Sequence, residues 1–286
     1  MNKLAIGTIV AFEDVLTRRV LQGMIVYSHD GLVRIKTPDG KLQTRLIDRV
    51  KPVCPFPAKP DIKSRFQYMQ QVVEMVANGD TASAIISGQA GLGKTNEVLK
   101  TLSNLGLEKD VDYSLVKGFT SARGLYEQLY NFNGMLTVFD DCDSALKDRI
   151  SASILKGALD SYSERKISWL VKASTMDSDI PRCFDYDGRI IFITNKLISE
   201  LDKPLCTRSL VIDLEMNKEE ILEWIEYILP EIKGFSMADK REALNFIHTI
   251  AAAINQLNIR TLLMVLRMRK AHPNNWQDLA KYSVTH

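Results

Sequence analysis

Hydrophobic positions along the chain follow two different periods. Up to residue 53 they come in short alternating runs, Gly7-Thr-Ile-Val-Ala-Phe12, Gly23-Met-Ile-Val-Tyr27 and Gly31-Leu-Val-Arg-Ile-Lys36, with turn signals at His29-Asp-Gly31 and Pro38-Asp-Gly40. Strands this short, with no helical period, predict a small β-barrel over 1–53. From Ser64 to Ala77 the spacing of Phe66, Met69, Val73 and Val76 predicts a helix. Strand and helix signals then alternate: strands at Ala84–Ser87, Val111–Val116, Met135–Phe139, Arg189–Thr194 and Ser209–Leu214, helices at Thr95–Leu105, Ala122–Tyr130 and Ala145–Tyr162. The last helix would carry Leu146, Ile150, Ile154, Ala158 and Tyr162 on one face. After Leu214 only helices are expected: one capped by Asn217 with Glu220 and closed by Pro230, then Met237–Gln256 and Ile259–Lys270. The fold class is α/β: a five-stranded parallel sheet with helices on both faces over 64–215, and a helical lid over 216–286.

Composition changes this picture in two places. Lys51-Pro-Val-Cys-Pro-Phe-Pro-Ala-Lys-Pro60 holds four prolines in ten residues, which makes 54–63 a stiff linker and a domain boundary. Charge is uneven across that boundary: residues 1–63 carry 11 Lys and Arg against 6 Asp and Glu, in a chain whose net charge is only +2. A basic module ahead of a mildly acidic body permits contact with nucleic acid or an acidic partner. Cys54, Cys142, Cys183 and Cys206 form no close pair and the four histidines are scattered, so no metal-ligand cluster is expected and a reducing compartment fits. Leu4–Phe12 runs into Glu13-Asp14 without a cleavage pattern, and no apolar run is long enough to span a bilayer. The expected setting is the cytoplasm, with no membrane partner.

The chemistry centres on Gly88-Gln89-Ala90-Gly91-Leu92-Gly93-Lys94-Thr95, which fits G-x-x-x-x-G-K-[ST] between a predicted strand and a predicted helix. Glycines let the backbone close around phosphates, and successive N–H groups with the helix N-terminus supply positive potential. Lys94 is expected on the β- and γ-phosphates of ATP and Thr95 on Mg²⁺. Downstream, Met135-Leu-Thr-Val-Phe-Asp140-Asp141 is an apolar strand ending in two acids. Asp140 suits Mg²⁺ held through water. Asp141 stands where a catalytic base would polarise the attacking water, with Asp143 a weaker substitute.

Phosphate loop and acidic strand together resemble the ASCE-type P-loop ATPases, and the order of later segments resembles the AAA+ family over residues 64–270. The N-terminal strands resemble SH3-like modules. In AAA+ proteins the acid at the position of Asp141 is a glutamate, so aspartate is a departure that shortens the reach by one methylene. Arg189-Ile-Ile-Phe-Ile-Thr-Asn195 resembles the sensor-1 strand, which implies that Asn195 orients the lytic water; a helix cap is its other reading. Cys206-Thr-Arg208-Ser resembles the arginine-finger segment, implying that Arg208 acts in a neighbouring subunit's site, against the plain reading of a surface arginine. Asn258-Ile-Arg260-Thr resembles the sensor-2 helix, implying a phosphate contact from Arg260, against a solvated helix arginine. A viral superfamily-3 helicase is the alternative within this class, with Ser163–Gly188 as its hairpin. A GTPase is disfavoured, because no D-x-x-G follows the third strand and Thr194-Asn-Lys-Leu-Ile198 lacks the guanine-reading aspartate.

The resemblance implies a homo-oligomeric ring. Lys117-Gly-Phe119 falls where ring translocases carry an aromatic pore loop, suited to a polypeptide or to single-stranded nucleic acid; Phe119 packed beneath its loop is the other reading. Three functions follow: a ring-forming motor that remodels or translocates a protein or nucleic-acid substrate, a DNA replication ATPase (helicase or helicase loader), and a nucleotide-gated scaffold with slow turnover. The compact single module also resembles ATPases of bacteriophages and mobile elements.

Overall fold

The computed structural model describes residues 9–14, 19–52, 59–160, 164–170 and 180–285. The middle of the proline-rich stretch, Cys54 and much of the 163–188 excursion lie outside them. The chain divides into two compact units, Met1–Pro60 and Asp61–His286.

The first unit is an antiparallel sheet of β1 (Ile9–Glu13), β2 (Val20–His29), β3 (Leu32–Lys36), β4 (Leu42–Leu46) and β5 (Val50–Pro52), in the order β4-β3-β2-β1-β5. The expected barrel is not confirmed: the strands form an antiparallel sheet in which β5 pairs with β1, with no pairing between β4 and β5 among the described residues. Between β2 and β3 both central turn residues, Asp30 and Gly31, have positive φ (47° and 77°). That backbone matches the twist of a two-residue hairpin and explains the Asp-Gly pair. One face buries Val10, Phe12, Ile25, Val33, Ile35 and Val50.

The second unit runs α1 (Ile62–Asn78), β6 (Ser83–Ser87), α2 (Lys94–Asn104), β7 (Tyr113–Lys117), α3 (Ala122–Asn131), β8 (Leu136–Asp140), α4 (Asp143–Lys147), α5 (Arg149–Ala158), β9 (Lys166–Ser168), β10 (Cys183–Asp185), β11 (Arg189–Thr194), α6 (Lys203–Cys206), β12 (Leu210–Asp213), α7 (Lys218–Ile228), α8 (Met237–Ile250), α9 (Ile259–Ala271) and α10 (Trp276–Val284). Strands β12-β6-β11-β8-β7 form a five-stranded parallel sheet in that order, and β9 and β10 form a separate two-stranded antiparallel sheet. Side chains alternate between two cores, as the strand period of two requires. Ala84, Ile86, Val138, Ile191 and Ile193 join α1, α2 and α7–α10, whereas Ile85, Phe139, Ile190 and Phe192 join α3 and α5. The C-terminal helices thus share one apolar cluster with the sheet, and Phe66 of α1 stacks on Trp224 of α7 with ring centroids 3.7 Å apart. Asn217 and Glu220 form the reciprocal cap of α7.

One helix differs from its periodicity. The span expected as a single helix from Ala145 is two, broken at Asp148, whose carboxylate accepts the Ser151 N–H at 2.8 Å and so caps α5. Ile150, expected inside, is 55% exposed as a result, while Ala152 and Leu155 are buried.

Candidate functional site

In a parallel sheet the C-terminal strand ends share one edge, so Ser87, Asp140 and Thr194 lie together, and the strand order places β11 between β6 and β8. That order brings Asn195, one residue past β11, between the loop after β6 and the acids after β8.

The loop Gly88–Gly93 is shaped by positive φ at Gly88 (157°), Gly91 (79°) and Gly93 (87°). At Gly91 the glycine is required twice, since a Cβ there would also come within 2.8 Å of Asn258 Cγ. The loop is braced on its far side by groups that its sequence does not reveal. Ile259 N–H donates to Gly91 O at 3.0 Å, Trp224 Nε1–H donates to Leu92 O at 3.0 Å, and the Gln89 amide exchanges bonds with Met216 O (2.7 Å) and N–H (3.0 Å). The Gln89 side chain is thereby committed to bracing, which leaves only the backbones of Gln89, Ala90 and Leu92 available for a ligand.

Lys94 opens α2 and is 5% exposed. Its Nζ donates to Gly88 O (2.6 Å), Gln89 O (2.8 Å) and Asn195 Oδ1 (2.9 Å). Burial pushes its pKa down to about 8, against the opposing pull of Asp141, Asp140 and Asp143. Thr95 Oγ1 donates to Asp140 Oδ1 at 2.8 Å, and Asp140 is 6% exposed. Lys117, at the end of β7, places its Nζ 3.3 Å from Asp140 Oδ2.

Asp141 is exposed, and Asn195 Nδ2 donates to its Oδ1 at 2.6 Å. Asn195 therefore bonds across the cleft, and the short 3-10 turn that follows starts from Leu197, whose N–H donates to Glu200 Oε2 at 2.9 Å. Asp141 has φ +56°, a left-handed backbone that aspartate and asparagine tolerate better than other side chains. This gives a backbone reason for aspartate where the AAA+ pattern has glutamate. Asp143 points away, accepting Thr194 Oγ1 at 2.6 Å. Arg260, exposed in the first turn of α9, lines the same cleft of about 240 Å³ with the loop, Asp141, Ile193 and Asn195.

Arg208 is not brought to this cleft. It precedes β12 at the opposite edge of the sheet, where its backbone O accepts from Ser83 Oγ at 3.3 Å, its NH1 donates to Pro204 O at 3.1 Å, and its buried Nε has no partner. Phe119 does not pack beneath its loop: it is 83% exposed, beyond Gly118, whose N–H donates to Asp140 O at 3.0 Å. Among the described residues no cluster of three His, Cys, Asp or Glu could hold a metal, and no helix is long and apolar enough to cross a membrane. The donor set still fits Mg²⁺ in the manner of nucleotide sites, where a hydroxyl and one carboxylate suffice because phosphates and water complete the shell; Thr95 Oγ1 and Asp140 are already neighbours.

No family model matches the sequence. An uncharacterized 36.7 kDa protein of the nrdC–mobD intergenic region of Enterobacteria phage T4 is 31% identical, with the match covering 78% of this chain and 74% of the phage protein. The chain belongs to that phage protein's family. Among solved structures, a mutant of RuvB from Thermotoga maritima has 14% identity over 77% of this chain and 68% of RuvB, with a TM-score of 0.50. A second structure of that protein, described as a Holliday junction branch migration motor, gives 15% identity over 77% of this chain and 68% of its own length, at a TM-score of 0.49. At such identities the RuvB likeness speaks for fold: this member of the phage family has the AAA+ fold.

Proposed function

We propose that the chain is an ATP-binding and ATP-hydrolysing AAA+ protein, a ring-forming motor that remodels or translocates a protein or nucleic-acid substrate. Lys94 carries the reading. A buried ammonium held chiefly by the carbonyls of its own loop is, among the described residues, a cation without a counter-ion in contact, and its desolvation is costly. A triphosphate would relieve that cost by replacing two neutral carbonyl acceptors with anionic phosphate oxygens. The loop amides and the N-terminus of the 11-residue helix α2 add positive potential at the same point.

In this reading Thr95 and Asp140 hold Mg²⁺, which supplies neutralisation of phosphate charge. Asp141 takes the proton of the attacking water, with Asn195 fixing the orientation of its carboxylate. Arg260 reaches the phosphates from its own chain. Arg208, remote from this cleft, acts in the site of a neighbouring subunit, which makes the ring a requirement for turnover.

A replication ATPase is the second reading, favoured by the exposure of Phe119 beside the basic Lys117. One experiment addresses both: ATPase activity with and without single-stranded DNA, beside sizing in the presence of ATP. Oligomers without stimulation support the motor acting on protein, and stimulation supports the replication reading. Absence of any affinity for adenine nucleotide with Mg²⁺ overturns both.

A further inference from the structure

In the first unit, the N-terminal sheet has an outward face with unusual chemistry. Its inner face buries Ile25, Val33 and Ile35, so the alternate positions of β2, β3 and β4 point outward, and there Tyr27, His29, Leu32, Arg34, Lys36 and Leu42 are all exposed. The register sets Tyr27 opposite Arg34, His29 opposite Leu32, and Lys36 opposite Leu42. A bulge between Ile25 and Tyr27 changes the register of β2 and lets Tyr27 face outward two residues after the buried Ile25. The rings of Tyr27 and His29 lie side by side, with centroids 6.4 Å apart and planes within 25°. At the outward strand positions of β2–β4 there is no Asp or Glu; acids stand at the margins, Glu13 at the end of β1, Asp30 in the β2–β3 turn, which binds His29 Nδ1 at 3.0 Å, and Asp39 in the β3–β4 turn, which pairs with Lys41 at 3.0 Å.

We propose that this face is a binding platform for single-stranded nucleic acid. Exposed rings and leucines offer stacking and apolar contact to bases that have been unstacked, while Arg34 and Lys36 meet the phosphates between them. A duplex would present phosphates and leave the rings without a partner. A protein partner would match the leucines but would desolvate two central cations unless it brought carboxylates to meet them. The excess of base over acid in residues 1–63 favours the polyanion. The platform lies in a different unit from the ATPase cleft and stands whether or not the chain hydrolyses ATP.

The test is fluorescence anisotropy of a labelled oligothymidylate of about 20 nucleotides with the full chain, nucleotide-free. With two or three phosphates neutralised, affinity falls about 7- to 18-fold between about 50 and 200 mM salt. Tyr27→Ala weakens binding about 5- to 150-fold, the loss of one stacked base, and Tyr27→Phe leaves it unchanged. Arg34→Ala flattens the salt dependence by about 0.7 in slope. Lys94→Ala binds the oligonucleotide as the parent does while losing nucleotide affinity, so the two assignments fail separately. Tyr27 is exposed, and circular dichroism of the variant checks that the sheet is intact. No binding at about 50 mM salt, equal affinity in Tyr27→Ala, or a loss that follows Phe119→Ala and not Tyr27→Ala overturns the proposal.

Discussion

The two halves of the nucleotide cleft are built on opposite terms. The inner half, Lys94, Thr95 and Asp140, has its hydrogen bonds made, with the lysine and the aspartate buried and the threonine half-buried: the lysine is held by two loop carbonyls and Asn195, and the threonine by the aspartate. The outer half, Asp141, Asn195, Arg260 and Lys117, is exposed, and its groups come from four separate elements. The inner half is the cradle, fixed by the fold before any ligand arrives. The outer half is where charges can be rearranged at little cost, as chemistry and signalling require. The difference predicts that inner substitutions act on binding and outer ones on turnover.

The largest effect expected is at Asp141. Replacement by Asn keeps the left-handed backbone and the neighbour to Asn195 but removes the base, so hydrolysis falls about 10²- to 10⁴-fold while nucleotide affinity stays within about twofold. Single-turnover hydrolysis beside equilibrium binding measures both. Equal losses in each would place Asp141 in the cradle and erase the distinction.

Lys94→Met comes next. Loss of charge-assisted bonds to phosphate weakens nucleotide binding about 10- to 150-fold. Because the change also removes a desolvated ammonium, the nucleotide-free variant is expected to be no less stable than the parent by thermal melting. A marked fall in Tm without nucleotide would mean that the lysine is a structural strut.

The pH dependence follows from the same burial. Only protonated Lys94 serves a phosphate, and its pKa is lowered to about 8 in the free protein. Nucleotide affinity should therefore be flat with respect to this group below about pH 8, then fall roughly tenfold per pH unit above it. Stability moves the other way. The folded pKa lies below the unfolded one, near 10.4, so the unfolded chain binds more protons between them and the native state gains stability as pH rises through that window, by up to about 3 kcal/mol. Urea titrations at several pH values, with Lys94→Met as the reference lacking the effect, test both slopes.

The two halves also differed in how far the sequence disclosed them. Most of the cradle is one continuous segment, Gly88–Thr95, with a spacing that a phosphate loop requires, and β11, apolar from Ile190 to Ile193 because both its faces are buried, is legible over Arg189–Thr194. What braces the cradle was not readable. Trp224 and Ile259 reach Leu92 and Gly91 across long stretches of chain, and a tryptophan inside a helix signals only burial. The break at Asp148 is not legible because an apolar period of 3.6 runs on through a residue whose side chain takes the backbone amide of Ser151. Helix α10 went unseen for the opposite reason: only Trp276 and Ala280 are buried along it, too few to mark a period. Strand β4 was lost because its leucines, Leu42 and Leu46, face solvent.

Lys117 offers the smallest and sharpest test, since it lies on the border between the halves. Its ammonium holds the Asp140 oxygen that Thr95 leaves open, and the adjacent Gly118 ties the base of the Phe119 loop to the same residue. A cation on that oxygen competes with Mg²⁺, so Lys117→Ala should lower the Mg²⁺ concentration at half-saturation of nucleotide binding by about two- to fivefold, the range of a half-exposed ion pair. Lys117→Arg keeps the charge and should leave it unchanged. The same competition would release the Phe119 loop when nucleotide and Mg²⁺ arrive, increasing chymotryptic cleavage after Phe119 in the parent but not further in Lys117→Ala. Unchanged Mg²⁺ dependence in the alanine variant would show that the outer half leaves the cradle's metal position alone, and the division between the halves would then be complete.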